Sequence, residues 1–320
     1  MIKIKTNKTQ IAAAVFALAA SALLITIFLS YYLAQRLEHS RFVQIAPGAL
    51  RPIIAQLKIE GIDLNDLDLW LIRAIGAPKY GLIDIGAENA TRLDFYLGLI
   101  AGKAAFDKIT LIPGETTAIA LDQIAEKLEL NADLLHKIYD ENAPYAEGVL
   151  IPDTYQIVKG AKEKETIGLL LDRSMRLHKE RAAAHFGEYD EKEWFRIVTI
   201  ASIVQKEAAS VEEMPLVASV IYNRLAKNMR LQMDGTLNYG YFSHLKVTPQ
   251  RIKADNSAFN TYKKRGLPPY PVAMASFEAI KAALNPAESD YLYFVRGSDG
   301  DHDFSSDYRS HIRNIRGGAR

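Results

Sequence analysis

The sequence predicts an α+β protein carried on one N-terminal transmembrane helix, and three observations predict it. Residues 9–35 contain no charged side chain. Residues 42–103 alternate short extended runs with amphipathic helical stretches, as a small α/β module does. From Lys108 onward an apolar run, ITLIPGE, opens a longer mixed series of helices and strands that reads as a second, larger α+β domain. The expected division is residues 1–35 as cytoplasmic N-terminus and anchor, 36–105 as the small module, and 106–320 as the larger domain.

In the anchor, the apolar part from Ile11 to Leu33 would span about 35 Å as a helix, against a hydrocarbon core of about 30 Å. Lys3, Lys5 and Lys8 precede it, and a mixed Arg36, Glu38 and Arg41 follow. The positive-inside rule therefore places the N-terminus in the cytoplasm and everything after Gln35 beyond the membrane. A cleaved signal peptide is the competing reading, but its apolar region would be shorter, and SYYLAQ at Ser30–Gln35 offers no convincing small-residue cleavage site. At 320 residues, 49% hydrophobic and 24% charged, the chain suits two or three folded modules. A net charge of +1 argues against a nucleic-acid partner. Without cysteine, neither a disulfide framework nor a thiolate metal or redox site can form.

In the small module, Leu50, Ile53, Ile54 and Leu57 fall at helical spacing behind the Pro47-Gly48 turn. Asn65–Ile75 and Thr91–Gly102 read as further helices, the last with Leu93, Tyr96, Leu97 and Ile100 on one face, and Gly81–Gly86 as a short strand. A short tether is expected between the anchor and Phe42. In the larger domain, Thr117–Leu128 and Ala132–Asp140 read as helices. Within EGVLIPDTY, Glu147–Tyr155, Pro152 forces Ile151 into an extended conformation and Asp153 can bond its own downstream backbone, so a rigid loop is expected. Thr166–Ala184 reads as a helix whose Lys and Arg residues form a solvated face. YLYFV, Tyr291–Val295, reads as a buried strand, with His302 and Phe304 on its hairpin partner. His302 and His311 have no carboxylate or cysteine at ligand spacing, so neither a metal nor a cofactor is expected.

The best candidate for a reacting group lies in Glu191–Ala208, where Ile200, Ile203 and Glu207 fall at i, i+3 and i+7 on one apolar line. Burying a carboxyl there disfavours its charged form and raises its pKa toward the range a general acid needs. A hydrogen-bonded core-edge Glu with no chemistry fits the same pattern. Lys206 shares a line with Thr199 and Ser202 and is expected to face a wetter surface. In the helix that begins at Pro215, Arg224 reads either as an anchor for a carboxylate or as a donor to the helix's last carbonyls.

ASIVQKE, PLVASVIYNRL, MRLQMDGTLNYG and EGVLIPDTY, followed in order by Asn260-Thr261-Tyr262, Gly266-Leu267-Pro268-Pro269 and Asn285-Pro286, resemble the YceG-like (MltG) family of endolytic lytic transglycosylases. These are bacterial enzymes that cut peptidoglycan glycan strands. The resemblance is close from Lys108 to His311 and weak from Phe42, where the order of elements is similar to the family's LysM-like domain. That domain reads equally as a glycan binder or as a spacer. The family's first motif usually ends Glu-Lys-Glu with the second acid catalytic; here the acids' positions hold Gln205 and Glu207, so the resemblance implies Glu207 as the catalytic residue. Glu147, Asp153, Tyr155, Asn223, Arg224, Gln232, Asp234, Asn260 and Tyr262 match motif positions and are the implied substrate-binding residues, although Asp153 by its own chemistry also reads as a turn cap. Gly235 stands where family members commonly have Pro, which would loosen the turn by about 1 kcal/mol or less. Tyr270 replaces a usual glycine.

The implied reaction is non-hydrolytic cleavage of the MurNAc-GlcNAc β-1,4 bond in nascent strands, leaving 1,6-anhydroMurNAc ends and terminating elongation at the inner membrane. The implied partners are glycan strands, the membrane through a single span, and cell-wall synthesis proteins. Two other classes stay open. A cell-wall glycoside hydrolase would need a second acid, Glu147 or Asp234, across from Glu207. A non-catalytic scaffold would bind strands through residues 42–103 and would be indifferent to Glu207.

Overall fold

The computed structural model describes residues 8–298 and 300–318; Lys3 and Lys5, on which the anchor's orientation partly rests, lie outside the described residues. Helix α1 (Lys8–Ala34) is long and apolar enough to cross a membrane over Gln10–Ala34. The chain forms two compact units, the first running to Asp107 and taking in Val158–Gly160, the second comprising Lys108–Ile157 and the chain from Ala161.

The first unit holds β1 (Phe42–Ile45), α2 (Leu50–Ile59), α3 (Asp66–Ile75), β2 (Gly81–Asp84), α4 (Arg92–Ala101) and β3 (Lys103–Ala104). The strands form one antiparallel sheet in the order β1-β2-β3, with Phe42 opposite Asp84 and Ile45 opposite Gly81. The helices start where their caps dictate: the Asn65 side chain accepts from Leu67 N–H, and Thr91 from Asp94 N–H. They bury Ile53, Ile54, Leu57, Leu69, Ile72, Phe95 and Leu99. Of the expected helical face of α4, Tyr96 is fully buried while Leu93 and Leu97 are exposed.

The expected tether is short and held down, with Leu37 buried and its N–H donating to Ala90 O at 3.0 Å, and the end of α1 before it is clamped to the module. Tyr32 Oη donates to Asp68 Oδ1 at 2.8 Å and accepts from Asn65 Nδ2 at 2.7 Å. The Arg92 guanidinium lies 4.6 Å from the Tyr32 ring centre and donates to the same Asp68 oxygen at 2.7 Å, and the Tyr96 hydroxyl also donates to Asp68. Arg92 N–H donates to Gln35 O at 2.8 Å, and Leu33 packs against the module's core. A soluble chain beginning at Arg36 loses all the contacts made by Tyr32 and Leu33. One beginning at Ser30 should melt as a more stable first unit, by about 1–3 kcal/mol, the sum expected for a cation–π contact and hydrogen bonds to a buried carboxylate. Calorimetry of the two chains checks this, and equal transitions would show that the clamp contributes nothing.

The second unit contains most of the paired strands β4 (Phe106–Thr110) and β5 (Thr154–Val158). It then contains α5 (Thr117–Leu128), α6 (Ala132–Asn142), α7 (Glu163–Phe186), α8 (Glu191–Glu207) and α9 (Met214–Ala226). After these come α10 (Pro249–Ala254), α11 (Phe277–Leu284), β6 (Tyr293–Arg296), β7 (His302–Ser305) and α12 (Tyr308–Gly318). The ITLIPGE strand ends at Thr110, although Leu111 N–H still donates to Asp153 O at 3.0 Å; beyond it, Gly114 N–H donates to Met274 O at 2.8 Å and Met274 N–H to Glu115 O at 2.9 Å. β6 and β7 form the expected hairpin, with Phe294 opposite Phe304, but β6 is half-buried because its two-stranded sheet is covered incompletely. The solvated face expected on α7 is only half of that helix. Its other face is buried, where His178 takes a hydrogen bond from Trp194 Nε1 at 2.9 Å and its Nε2 meets Val149 O at 3.0 Å.

Helix α8 is the centre of this unit, packed against α9, α11 and the turn that follows Met233. Burial covers most of its circumference from Trp194 to Val204, as expected of a helix with neighbours on several sides. The expectation that Thr199 and Ser202 mark a wet face is therefore corrected. Both are buried, and both hydroxyls are satisfied by their own helix, donating to Phe195 O and Thr199 O at 2.7 Å.

Candidate active site

The Asp190 side chain accepts from Glu193 N–H at 2.7 Å and starts α8; Glu207 is its last residue, and Ala208 turns extended. A side chain at that end leaves the packed core while staying tied to a rigid element. Glu207 is half-buried. Its Oε1 accepts the Gly235 N–H at 2.6 Å, and among the described residues Oε2 has no hydrogen-bond partner. Burial pushes the carboxyl up to about 7; the Gly235 N–H opposes the rise, the Asp234 charge adds to it, and the Arg224 charge opposes it.

Gly235 belongs to a 3-10 turn, Asp234–Leu237. The loop before it is pinned by Thr261, whose carbonyl accepts from Gln232 N–H at 3.2 Å and whose hydroxyl accepts from Met233 N–H at 3.2 Å. Thr236 Oγ1 donates to Met233 O at 2.7 Å and lies 2.8 Å from Thr261 Oγ1. Gln232 is exposed and held at φ +49°, a left-handed conformation that costs a non-glycine residue roughly 1 kcal/mol or more. At Gly235 the structure adds a steric reason for glycine to the entropic one. A Cβ there would lie 2.5 Å from Lys206 Cβ and 3.0 Å from Glu207 Oε1, so the missing side chain is what lets the turn approach α8.

The neighbours of Glu207 on α8 have other partners. Gln205 Oε1 accepts from Ser276 N–H at 3.1 Å, ahead of α11. Lys206, expected to face water, is half-buried and donates to Ser243 Oγ at 2.9 Å; desolvation holds its pKa below the usual lysine value.

The nine implied binding residues divide by what their polar atoms already do. Arg224, Asp234 and Tyr262 gather around Glu207, close enough for their charges to act on one another. Tyr262 Oη donates to Asp234 Oδ1 at 2.6 Å, and burial raises the phenol's pKa. Arg224 is buried, donating to Leu292 O at 2.6 Å and to Leu231 O, so it holds loop carbonyls rather than those of its own helix. Asn223 Nδ2 donates to Ser289 O at 2.9 Å and Tyr291 O at 3.0 Å. A glycan-facing role does not fit Asn260 or Tyr155. The Asn260 amide is fully buried and donates to Ile252 O and Asp255 O, both at 2.8 Å. Tyr155 is equally buried, with its hydroxyl donated to Ile151 O at 2.7 Å beside Ser174.

Asp153 is exposed and caps Thr154 N–H while pairing with Arg173 at 2.6 Å. Glu147 is buried at the start of α5. Its Oε2 accepts from Thr117 N–H at 2.8 Å, and its Oε1 accepts from Thr117 Oγ1 at 2.6 Å and Gly148 N–H at 2.9 Å. Desolvation pushes this carboxyl, too, up to about 7. His302 Nδ1 lies 2.7 Å from Glu213 Oε1.

Sequence reasoning did not find the Gly235 N–H, the Thr236 and Thr261 hydroxyls, or Ser243. Only Gly235 carried a signal, as a departure from the family pattern. Chemically, the arrangement presents one carboxyl that burial pushes up to about 7, anchored through one oxygen with the other free among the described residues, beside the Asp234–Tyr262 pair. Such a group can both donate and take back a proton.

Known proteins resemble this chain in sequence, and a solved one in fold. The chain is 28% identical over 263 residues to the endolytic murein transglycosylase of Bacillus subtilis, a match covering 79% of this chain and 69% of that protein. It is 33% identical over 187 residues to the endolytic murein transglycosylase of Streptococcus pneumoniae, covering 56% of this chain but only 33% of the longer relative. A yceG-like protein from Listeria monocytogenes, solved by crystallography, shares the fold with a TM-score of 0.56 at 24% identity, over 85% of this chain and 98% of that one. The sequence model of the YceG-like family matches residues 43–317, which reaches into both compact units and takes in the whole loop system around Glu207, and the chain belongs to that family.

Proposed function

We propose that the chain is a peptidoglycan lytic transglycosylase, a lyase that cuts the MurNAc-GlcNAc β-1,4 bond internally, with Glu207 as both acid and base. The observation that carries this reading is the Glu207 carboxyl itself, pushed up to about 7 and, among the described residues, engaged on one oxygen only. Protonated, it gives its proton to the glycosidic oxygen as the C1–O4 bond breaks. The oxocarbenium-like state, helped by the acetamido group, is closed by the sugar's own C6 hydroxyl. The Glu207 carboxylate then takes the C6 proton, so the C1–O6 bond replaces C1–O4 and no water is consumed. Gln232, Asp234 and Tyr262, on the exposed side of the loop, are the proposed sugar-binding groups; Arg224 and Asn223 hold the loop and the following segment.

The α1 helix is proposed as a single-pass inner-membrane anchor, N-terminus inside, with both compact units in the periplasm. The clamp on Tyr32 favours the spacer reading of the LysM-like module. The competing hydrolase reading asks for a second working acid. Glu147 suits that role poorly, since both its oxygens already serve the start of α5.

The test is mass spectrometry of sacculi digested with the full-length chain in detergent. Products ending in 1,6-anhydro sugar are expected. Reducing ends would indicate the hydrolase, and binding without products the scaffold.

A further inference from the structure

Among the described residues, the Gly235 N–H is the one hydrogen-bonding group on the Glu207 carboxyl. A backbone N–H only donates, and the carbonyl-type oxygen of a carboxylic acid is its better acceptor, so the oxygen that meets this N–H is not the one that carries the proton. The donor is held firmly. Its turn is fixed through Thr236 and Thr261, and a Cβ at 235 would be only 2.5 Å from Lys206 Cβ, so this close approach needs glycine.

We infer that Gly235 is a positioning residue, whose N–H keeps Oε1 of Glu207 free of the proton and leaves Oε2 to exchange it with the substrate. The inference rests on the reading of Glu207 as acid and base. A hydrogen bond to a carboxylate is stronger than one to a neutral acid, so the same N–H favours the charge that appears when the proton leaves. The other charged or titratable groups that act on Glu207 are Asp234 on the same turn, Arg224 on α9, and Tyr262 after the loop, while Lys206 on α8 itself is bonded to Ser243.

The first test reads the wild-type turn directly and needs no turnover. In the full-length chain in detergent, labelled with ¹⁵N-glycine, the Gly235 amide is identified by its disappearance in Gly235→Ala. Its proton should move downfield as pH rises, with a midpoint near 7, and should stay put in Glu207→Gln. A wild-type amide that does not titrate overturns the inference.

The second test compares Gly235→Pro with Gly235→Ala. Both bring a Cβ against Lys206, but only Pro removes the N–H, and Gly235 lies inside the 3-10 turn, whose φ range Pro shares. Relative to Ala, the Pro variant should move the alkaline limb of kcat/KM upward by roughly one pH unit, the worth of a charge-assisted hydrogen bond. Coincident limbs overturn the inference. Failure of the underlying reading is separate: it appears as normal cleavage by Glu207→Gln, whereas an inactive Glu207→Gln with a silent Gly235 amide removes only the role of Gly235.

Discussion

Glu207→Gln should lower the release of anhydro-ended products by about 10³ or more while making the folded protein more stable above neutral pH. A positioned general acid contributes about 10² to 10⁴ in rate, and here one group serves both proton transfers, so the loss falls toward the upper end. The stability change has a definite sign. The folded-state pKa is raised from 4.5 to about 7, so the stability linked to this proton is full below the unfolded value and is lost as pH rises through about 7. Gln keeps an acceptor for the Gly235 N–H and carries no charge to desolvate. The variant's advantage should therefore open between those two pH values and level off above them at about 2 kcal/mol, a figure reduced for the partial exposure of the site.

Product analysis and denaturant titrations at low and high pH check both halves. Near-normal anhydro release from a folded Glu207→Gln would end the assignment. Gln205→Glu should leave activity close to wild type, because its oxygen faces Ser276 N–H rather than Glu207, and a carboxylate accepts that bond equally well.

Asp68→Ala should cost the first unit about 3–5 kcal/mol, the usual penalty for breaking a buried ion pair. Asp68 is fully buried, and its Oδ1 collects Arg92, Tyr96 and Tyr32. Removing it leaves the buried Arg92 guanidinium with Asp63 alone, a side chain 87% exposed and therefore a screened partner. In a unit of this size each kcal/mol is worth roughly 4–8 °C, so its transition should fall by more than about 10 °C. Scanning calorimetry of the full-length chain should show this early transition while the second unit, with its own core, melts as in wild type. A single unshifted transition would mean that the cluster around Asp68 does not hold the module together.

Much of the local structure was legible in the sequence because local rules decide it. Asn65, Thr91 and Asp190 cap helices where their chemistry predicts, the apolar spacing of Leu50–Leu57 yields a helix with Ile53, Ile54 and Leu57 inward, and Thr117–Leu128 is the expected helix. The uncharged run from residue 9 becomes a membrane-length helix for the same reason. The position of Glu207 on a line with Ile200 and Ile203 was likewise open to periodicity, and with it the reason its pKa would rise.

Contacts between residues far apart in the chain decided the rest. Thr199 and Ser202 are as polar as any surface pair, yet they are buried because α8 has neighbours on several sides and because a hydroxyl can satisfy itself on its own helix. Periodicity cannot count a helix's neighbours. Nothing near Tyr32 in sequence announces Asp68, which is 36 residues away. Tyr155 and Asn260 sit in motifs that suggest a ligand, but tertiary packing takes up their polar atoms inside the fold. The Gly235 N–H is a backbone group, invisible to residue type, and only the folding of its turn against α8, 28 residues back in sequence, brings it to the Glu207 carboxyl.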